Sequence, residues 1–357
     1  MSLTIHDAAG LVAAGLVPAD REESIAQVAA RYAIAITPAM ADLVDRADLH
    51  DPIALQFVPD PAELVRLPQE REDPIGDEAH SPVEGVVHRY PDRVLLKLLH
   101  ACPVYCRFCF RRETVGGRGP ATLSAAALRR ALAYVRADPG IWEVILTGGD
   151  PLALSPRRLG PIMAALGEIG HVRVVRIHTR VPLVDPARVT PALVASLRRA
   201  ARSTWIAVHA NHPREFTAAG EAALARLADA GFSLISQTVL LRDVNDSAEV
   251  LAALMRRFVE NRVKPYYLHH ADLAPGTARF RTTIEEGQAI MAAMRGRISG
   301  LCQPAYVLDI PGGHGKSPIG PVYLKQKGGQ AEIEDFQGLV HPYLSQAPAQ
   351  RKPDFGE

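Results

Sequence analysis

The stretch that decides the reading is His100-Ala101-Cys102-Pro103-Val104-Tyr105-Cys106-Arg107-Phe108-Cys109-Phe110-Arg111-Arg112. It holds three of the four cysteines in the chain, Cys102, Cys106 and Cys109, at C-x3-C-x2-C spacing. A loop this short can wrap three thiolates round one corner of a metal cluster. Iron–sulfur clusters are held by cysteine thiolates, usually four, so three protein ligands leave one iron open to a small molecule. Structural zinc is the rival, because zinc sites are closed by four Cys or His ligands and His100 could supply the fourth.

The flanks weigh against zinc. The loop follows an apolar run, Val94–Leu99, that reads as a buried strand. A second apolar run leads into Thr147-Gly148-Gly149-Asp150-Pro151-Leu152, a glycine pair at a strand end. From about residue 89 onward, strand-like and helix-like stretches alternate. The expected strands are Val94–Leu99, Glu143–Leu146, Val172–His178, Trp205–His209, Leu234–Leu240, Pro265–His270 and Ala305–Ile310. Between them the pattern predicts helices over Ser124–Ala137, Ser155–Leu166, Pro191–Ala201, Pro213–Ala230, Ser247–Glu260 and Thr283–Gly296. Such alternation predicts an α/β fold: a parallel sheet with right-handed crossovers, closed into a complete or partial barrel. The site of such a barrel lies at the C-terminal ends of its strands. The cysteine loop, Gly148-Gly149-Asp150, His178-Thr179-Arg180 and His209-Ala210-Asn211-His212 all fall there.

Composition sets bounds on the rest. The chain has 357 residues, 48% hydrophobic and 22% charged, with a net charge of +1, ordinary for a globular protein and without the bulk charge of a nucleic-acid or acidic-membrane binder. No apolar run is long enough to span a bilayer. The start, Met1-Ser2-Leu3-Thr4-Ile5, lacks the pattern of a signal peptide. Clustered cysteines do not make a disulfide framework, and a thiolate-bound cluster fits a reducing cytoplasm. Residues 1–88 read as a helical, partly irregular lead-in with no catalytic signal, and the acidic, proline-containing stretch Gln69–Pro82 as an exposed connection.

Toward the C-terminus stands Asp309-Ile310-Pro311-Gly312-Gly313-His314-Gly315-Lys316-Ser317-Pro318. Gly315-Lys316-Ser317 has the look of a P-loop, but that pattern needs glycine where Ile310 stands and a helix where Pro318 follows. A glycine-rich turn carrying a lysine can instead hold pyridoxal 5′-phosphate (PLP). His269 and His270 are neighbours on a strand and therefore point to opposite faces, which argues against a shared metal.

With these motifs quoted, the chain resembles the radical S-adenosylmethionine (SAM) superfamily through its cysteine loop and its Gly148-Gly149-Asp150 motif, with Asp150 where many members carry Glu. The resemblance narrows to the lysine 2,3-aminomutase family. His88–Leu95, Cys102–Arg112, Thr147–Leu152, Gln237–Asp246, Tyr267–Leu273 and Pro311–Lys316 match that family in order and separation, from about residue 50 to 325. The resemblance implies a partial (β/α)6-type barrel at 89–300, a helical lead-in at 1–88 and a C-terminal segment at 301–357 bearing the PLP lysine. It implies a [4Fe-4S] cluster on Cys102, Cys106 and Cys109, with SAM on the open iron and Gly148, Gly149 and Asp150 beside the SAM amino group. It implies a radical shift of the α-amino group of L-lysine to the β-carbon, with PLP on Lys316. Carried over singly, Arg111 matches the substrate-carboxylate arginine, Arg93 and Gln237 match PLP phosphate contacts, and His209 a SAM-contacting histidine. Asp272 and Asp309 match the pair that holds the lysine side-chain ammonium. Longer members carry a further cysteine cluster for zinc; here only Cys302 remains, so zinc is not expected. The alternatives are the branch that isomerises lysine for translation elongation factor P, a mutase for another amino acid, and a non-catalytic iron–sulfur or zinc module. An electron donor such as flavodoxin or ferredoxin is implied, and a homo-oligomer is left open.

Overall fold

In the computed structural model, which describes residues 3–117, 121–327 and 330–343, one nine-stranded sheet carries the chain in sequence order. Its strands are β1 (Val86–Tyr90), β2 (Arg93–Leu99), β3 (Glu143–Gly148), β4 (Val174–Thr179), β5 (Ser203–His209), β6 (Ser233–Val239), β7 (Val263–His269), β8 (Ala305–Asp309) and β9 (Lys316–Pro318). From β2 to β8 every neighbouring pair is parallel. Each edge is closed by an antiparallel strand: β1 against β2, and β9 against β8. The sheet curls into a partial barrel, and its two edge strands meet where the Lys316 backbone N–H donates to the Tyr90 hydroxyl at 2.7 Å.

All seven strands and six helical stretches expected from apolar periodicity are present, with shifted ends. The alternation of each strand explains the layering. Val94, Leu96 and Leu98 of β2, Val144 and Leu146 of β3, and Val175 and Ile177 of β4 join one core with the surrounding helices. The intervening residues, among them Lys97, Thr147 and His178, face the inside of the curl. Helix starts follow their caps: the Ser124 side chain accepts from the Ala127 N–H, Thr190 from Leu193 and Ser247 from Val250. The expected helix over 213–230 is split. A 3-10 turn at Pro213–Glu215 precedes a helix at Ala218–Asp229 capped by Thr217. The physical cause is Glu215, which is drawn inward to accept from the Asn211 and His212 N–H groups.

The lead-in packs its own core of Leu11, Ile25, Ile36, Met40, Ile53 and Phe57 against Val104 of the cysteine loop and Val184. The stretch Gln69–Pro82 is only partly the exposed connection expected: its two ends are open, but its middle is not. Glu70, Ile75 and Asp77 are buried, and Gly76, at φ +68°, lies so close to the Gly312–Gly313 backbone that a Cβ there would collide with it. Apolar periodicity is blind to such a segment, because charged partners and backbone contacts bury it. The same sheet takes strands from all three segments expected from the sequence, since β1 straddles residue 88 and β8 and β9 follow residue 301. A small antiparallel sheet of β10 (Leu324–Lys327), β11 (Gln330–Glu334) and β12 (Val340–Tyr343) comes last. Among the described residues no helix is long and apolar enough to cross a membrane.

Candidate active site

The cysteine loop leaves the C-terminal end of β2 and is fixed from beneath by buried charge. Arg107 and Arg112 both pair with Glu63, and all three side chains are fully buried. Arg107 Nη2 lies 2.6 Å from Glu63 Oε2, and its Nη1 donates to the Ala33 carbonyl at 2.7 Å. A buried ion pair of this kind holds only when further hydrogen bonds complete it; here the Gly276 carbonyl serves Arg112 as well. Cys102, Cys106 and Cys109 are free thiols. Burial, then the Cys106 charge, pushes Cys109 up to about 11; burial, then Asp150 and the other two cysteines, pushes Cys102 well above its ordinary value. Among the described residues no three His, Cys, Asp or Glu side chains group as the ligand shell of one ion. Three thiolates on one short loop are the donor type that iron–sulfur clusters take.

Gly148 and Gly149 end β3 against that loop. Gly148 has φ +107°, and a Cβ on either glycine would collide with a backbone oxygen, that of Leu99 or of Ala101. The strand end therefore needs glycine at both positions. Asp150 is held by the protein itself. Its carboxylate accepts from Thr179 Oγ1 at 2.7 Å, from the Arg180 N–H at 2.7 Å, from Leu152 at 3.0 Å and from Val181 at 3.2 Å. Four donors fill a carboxylate, so Asp150 braces the ends of β3 and β4 together.

Inside the curl, Arg111 and Arg112 separate by role. Arg112 is spent on Glu63, while Arg111 turns toward β3, with Nη1 at 3.4 Å from Thr147 Oγ1. Its Nε and Nη2 both reach Asp77 Oδ2, at 3.1 and 2.9 Å. Asp77, in the lead-in where the sequence shows no catalytic signal, also accepts from Arg89 at 3.2 Å. Burial would raise the Asp77 carboxyl, but Arg111, with Lys97 and Arg89, outweighs it and holds the carboxyl below the usual range. Lys97 stands near this group, its pKa lowered by burial.

Three histidines line the same space. Gln237 Nε2 is 3.3 Å from His178 Nε2, and the His178 and His209 rings lie 5.6 Å apart. Burial, and then the Arg180 charge, push His209 down to about 3; burial and Arg176 push His178 well down. Both imidazoles are therefore neutral. His209 Nε2 and His269 Nε2 are buried and make no hydrogen bond within the protein. Such orphaned groups are costly to bury, and a polar partner would complete them.

Opposite the cysteine loop, the β8–β9 turn carries Lys316. Gly312, Gly313 and Gly315 all have positive φ, between 87° and 92°, which only glycine takes freely. Lys316 Nζ donates to Asp309 Oδ1 at 2.7 Å, and His269 Nδ1 lies 3.6 Å from Asp309 Oδ2. Burial alone would raise the Asp309 carboxyl; His269 and Lys316 together hold it well below the carboxylate range. Asp272 behaves oppositely. Burial, then the Asp309 charge, raise it to about 7. Arg93, on the inner face of β2, pairs with Asp92 at 2.6 Å and lies over the Tyr90 ring at 3.9 Å. His270 turns outward, hydrogen-bonded to the Tyr306 hydroxyl at 2.7 Å, as strand alternation with His269 requires.

A curled parallel sheet with a three-cysteine loop after its first parallel strand and a glycine-pair turn after the next defines a radical SAM protein. The model of the radical SAM superfamily matches residues 96–255. Such a protein carries a [4Fe-4S] cluster and uses SAM. Among relatives, L-lysine 2,3-aminomutase of Clostridium subterminale is 40% identical, over 91% of this chain and 78% of its own. L-lysine 2,3-aminomutase of Escherichia coli is 35% identical, over 81% and 83%. Glutamate 2,3-aminomutase of Clostridioides difficile is 36% identical, over 86% and 72%. The chain belongs to the lysine 2,3-aminomutase family, whose activity makes it an isomerase.

Proposed function

We propose that the protein moves the α-amino group of L-lysine to the β-carbon, using the cluster, SAM and a PLP held by Lys316. The observation that carries this reading is the polarity of the inner space. A guanidinium, Arg111, stands on the cysteine-loop side, and two carboxylates, Asp272 and Asp309, stand beside Lys316. An amino acid lying between them would offer its α-carboxylate to Arg111, whose Nη1 is not committed to Asp77, and a side-chain ammonium to Asp272 and to the Asp309 oxygen that Lys316 does not take. When bound, the cluster and SAM supply hydrogen-abstracting radical chemistry, and PLP supplies the ring that stabilises the migrating nitrogen.

The residues of the chain do the positioning. Arg111 binds the carboxylate and fixes the α-carbon. Lys316 supplies the amine for PLP, and Asp309 orients its Nζ. Arg93 and Gln237 are the proposed phosphate contacts. Neutral His178 and His209 allow a sulfonium cation to approach without repulsion, and the His209 Nε2 orphan offers it or its nucleoside a hydrogen bond. Gly148 and Gly149 leave backbone free to hold the SAM amino group. Asp272 is half-protonated near neutrality and ionises when an ammonium arrives beside it.

Lysine is favoured over glutamate because a side-chain carboxylate would be pressed against two acidic groups. The test compares the two amino acids as substrates of anaerobically reconstituted protein. The expected result is β-lysine from L-lysine, no amino shift with L-glutamate, and loss of the PLP absorbance in Lys316→Ala. Comparable turnover of glutamate would contradict the reading.

A further inference from the structure

The three cysteine sulfurs do not meet equal partners. The neutral backbone N–H groups of Asp150 and Arg111 lie near Cys102 and Cys109, that of Asp150 being given to the Ala101 carbonyl at 3.0 Å. Cys106 accepts instead from a charged donor, Arg180 Nη1, at 3.0 Å.

That guanidinium is not free to turn. Its Nη2 lies 2.5 Å from Glu215 Oε2 and 3.2 Å from Gln56 Oε1, and its carbon lies 5.0 Å from the Phe57 ring centre. Glu215 is fully buried. Its other oxygen accepts from the Asn211 N–H at 2.8 Å, the His212 N–H at 3.0 Å and Gln56 Nε2 at 3.3 Å. Asn211 is tied in turn to the Val239 N–H at 2.9 Å. One network thus links the Cys106 sulfur to the ends of β5 and β6 and to the lead-in helix Pro52–Phe57. The loop is already anchored through Glu63, so a second buried charge pair is not needed merely to hold it.

We propose that Arg180 is a positioning residue that raises the reduction potential of the cluster through Cys106, and that Glu215 sets how much of that charge the sulfur feels. The proposal rests on the cluster reading. One-electron reduction adds negative charge to the cluster and its sulfurs; no bond forms or breaks, and the electron comes from a low-potential donor, dithionite in the test. A cation hydrogen-bonded to a thiolate ligand stabilises the reduced state, more so at low dielectric. Removing it lowers the potential. Neutralising Glu215 leaves the cation less compensated and raises the potential. Opposite signs from two contacting residues are not what a merely structural network would give.

The experiment is an EPR-monitored dithionite titration of the reconstituted full-length protein and of Arg180→Gln, Arg180→Lys and Glu215→Gln, with iron and sulfide measured for each. The expected shift is downward for Arg180→Gln by about tenfold in the reduced-to-oxidised ratio, ~59 mV for a one-electron couple. Arg180→Lys falls between it and the wild type, and Glu215→Gln shifts upward. Wild-type potentials in variants with full cluster content would overturn the proposal. Should Arg180→Gln fail to hold a cluster, Arg180→Lys and Glu215→Gln decide by the same signs. Failure of the wild type itself to take up a cluster would refute the cluster reading, and is separately visible as the absence of iron, sulfide and signal.

Discussion

The two sides of the inner space are built on opposite terms. On the cysteine-loop side each buried carboxylate is matched, although the Arg112 and Arg180 Nε groups find no partner: Glu63 with Arg107 and Arg112, Glu215 with Arg180, Asp150 with four donors. On the Lys316 side the matching is left incomplete. His269 Nε2 has no partner, and Asp272 sits beside Asp309 with its carboxyl pushed up to about 7. A satisfied network rigidifies, whereas a half-satisfied one is costly unless a ligand finishes it. The loop side is therefore a frame made before any ligand binds, and the Lys316 side a receptor completed by what it binds.

The largest effects should come from breaking the frame. Cys106→Ala removes one cluster ligand, and the expected outcome is loss of iron, sulfide and all radical activity, read by metal analysis and product assay. Glu63→Ala strands two fully buried guanidinium groups; breaking a buried pair costs about 3–5 kcal/mol, measurable by denaturant unfolding. Gly149→Ala forces its Cβ into the Ala101 carbonyl, and the expected result is weaker SAM binding by calorimetry with the cluster retained.

A subtler change sharpens the receptor side. A carboxyl whose folded value is raised is protonated in the folded protein over a range where the unfolded chain has released its proton. Its contribution to stability is fully present below the ordinary aspartate value, near 4, and is lost as pH rises toward about 7. Asp272→Asn should therefore flatten the pH dependence of stability in that window relative to wild type. The difference between the two proteins isolates Asp272 from the buried histidines, whose lowered values act in the opposite sense. Lysine binding to wild type should strengthen as pH rises through about 7, because the ammonium needs the ionised form, and Asp272→Asn should lose that dependence. Least of all should Arg130→Ala matter. Its pair with Glu84 is exposed on both sides, and such pairs contribute about 0–1 kcal/mol.

The same comparison explains what the sequence made legible. Apolar runs with period two announced β2 through β8, and capped amphipathic stretches announced the helices between them. The edge strands escaped. Val86–Tyr90 carries His88 and Arg89 in its second half, and Lys316–Pro318 is only three residues long. Lys316, Asp272 and Asp309 of the receptor side sit in local motifs, which is why the resemblance can carry proposed roles onto them. The frame was not readable in this way. Glu63 lies 44 residues from Arg107, and Asp77 lies 34 from Arg111. Nothing local in an acidic, proline-containing stretch marks it as the counter-charge of a distant arginine. Arg180 was visible as the end of a strand motif, but its role depends on Glu215 and Gln56, which only the fold brings to it.

The most direct measurement is anaerobic turnover of L-lysine labelled with nitrogen-15 at the α-position, by protein reconstituted with iron, sulfide and PLP, reduced and supplied with SAM. The account predicts β-lysine with the label on the β-carbon, dependent on both SAM and PLP and absent in Lys316→Ala. A fully formed cluster that cleaves SAM while the label stays on the α-carbon would contradict it.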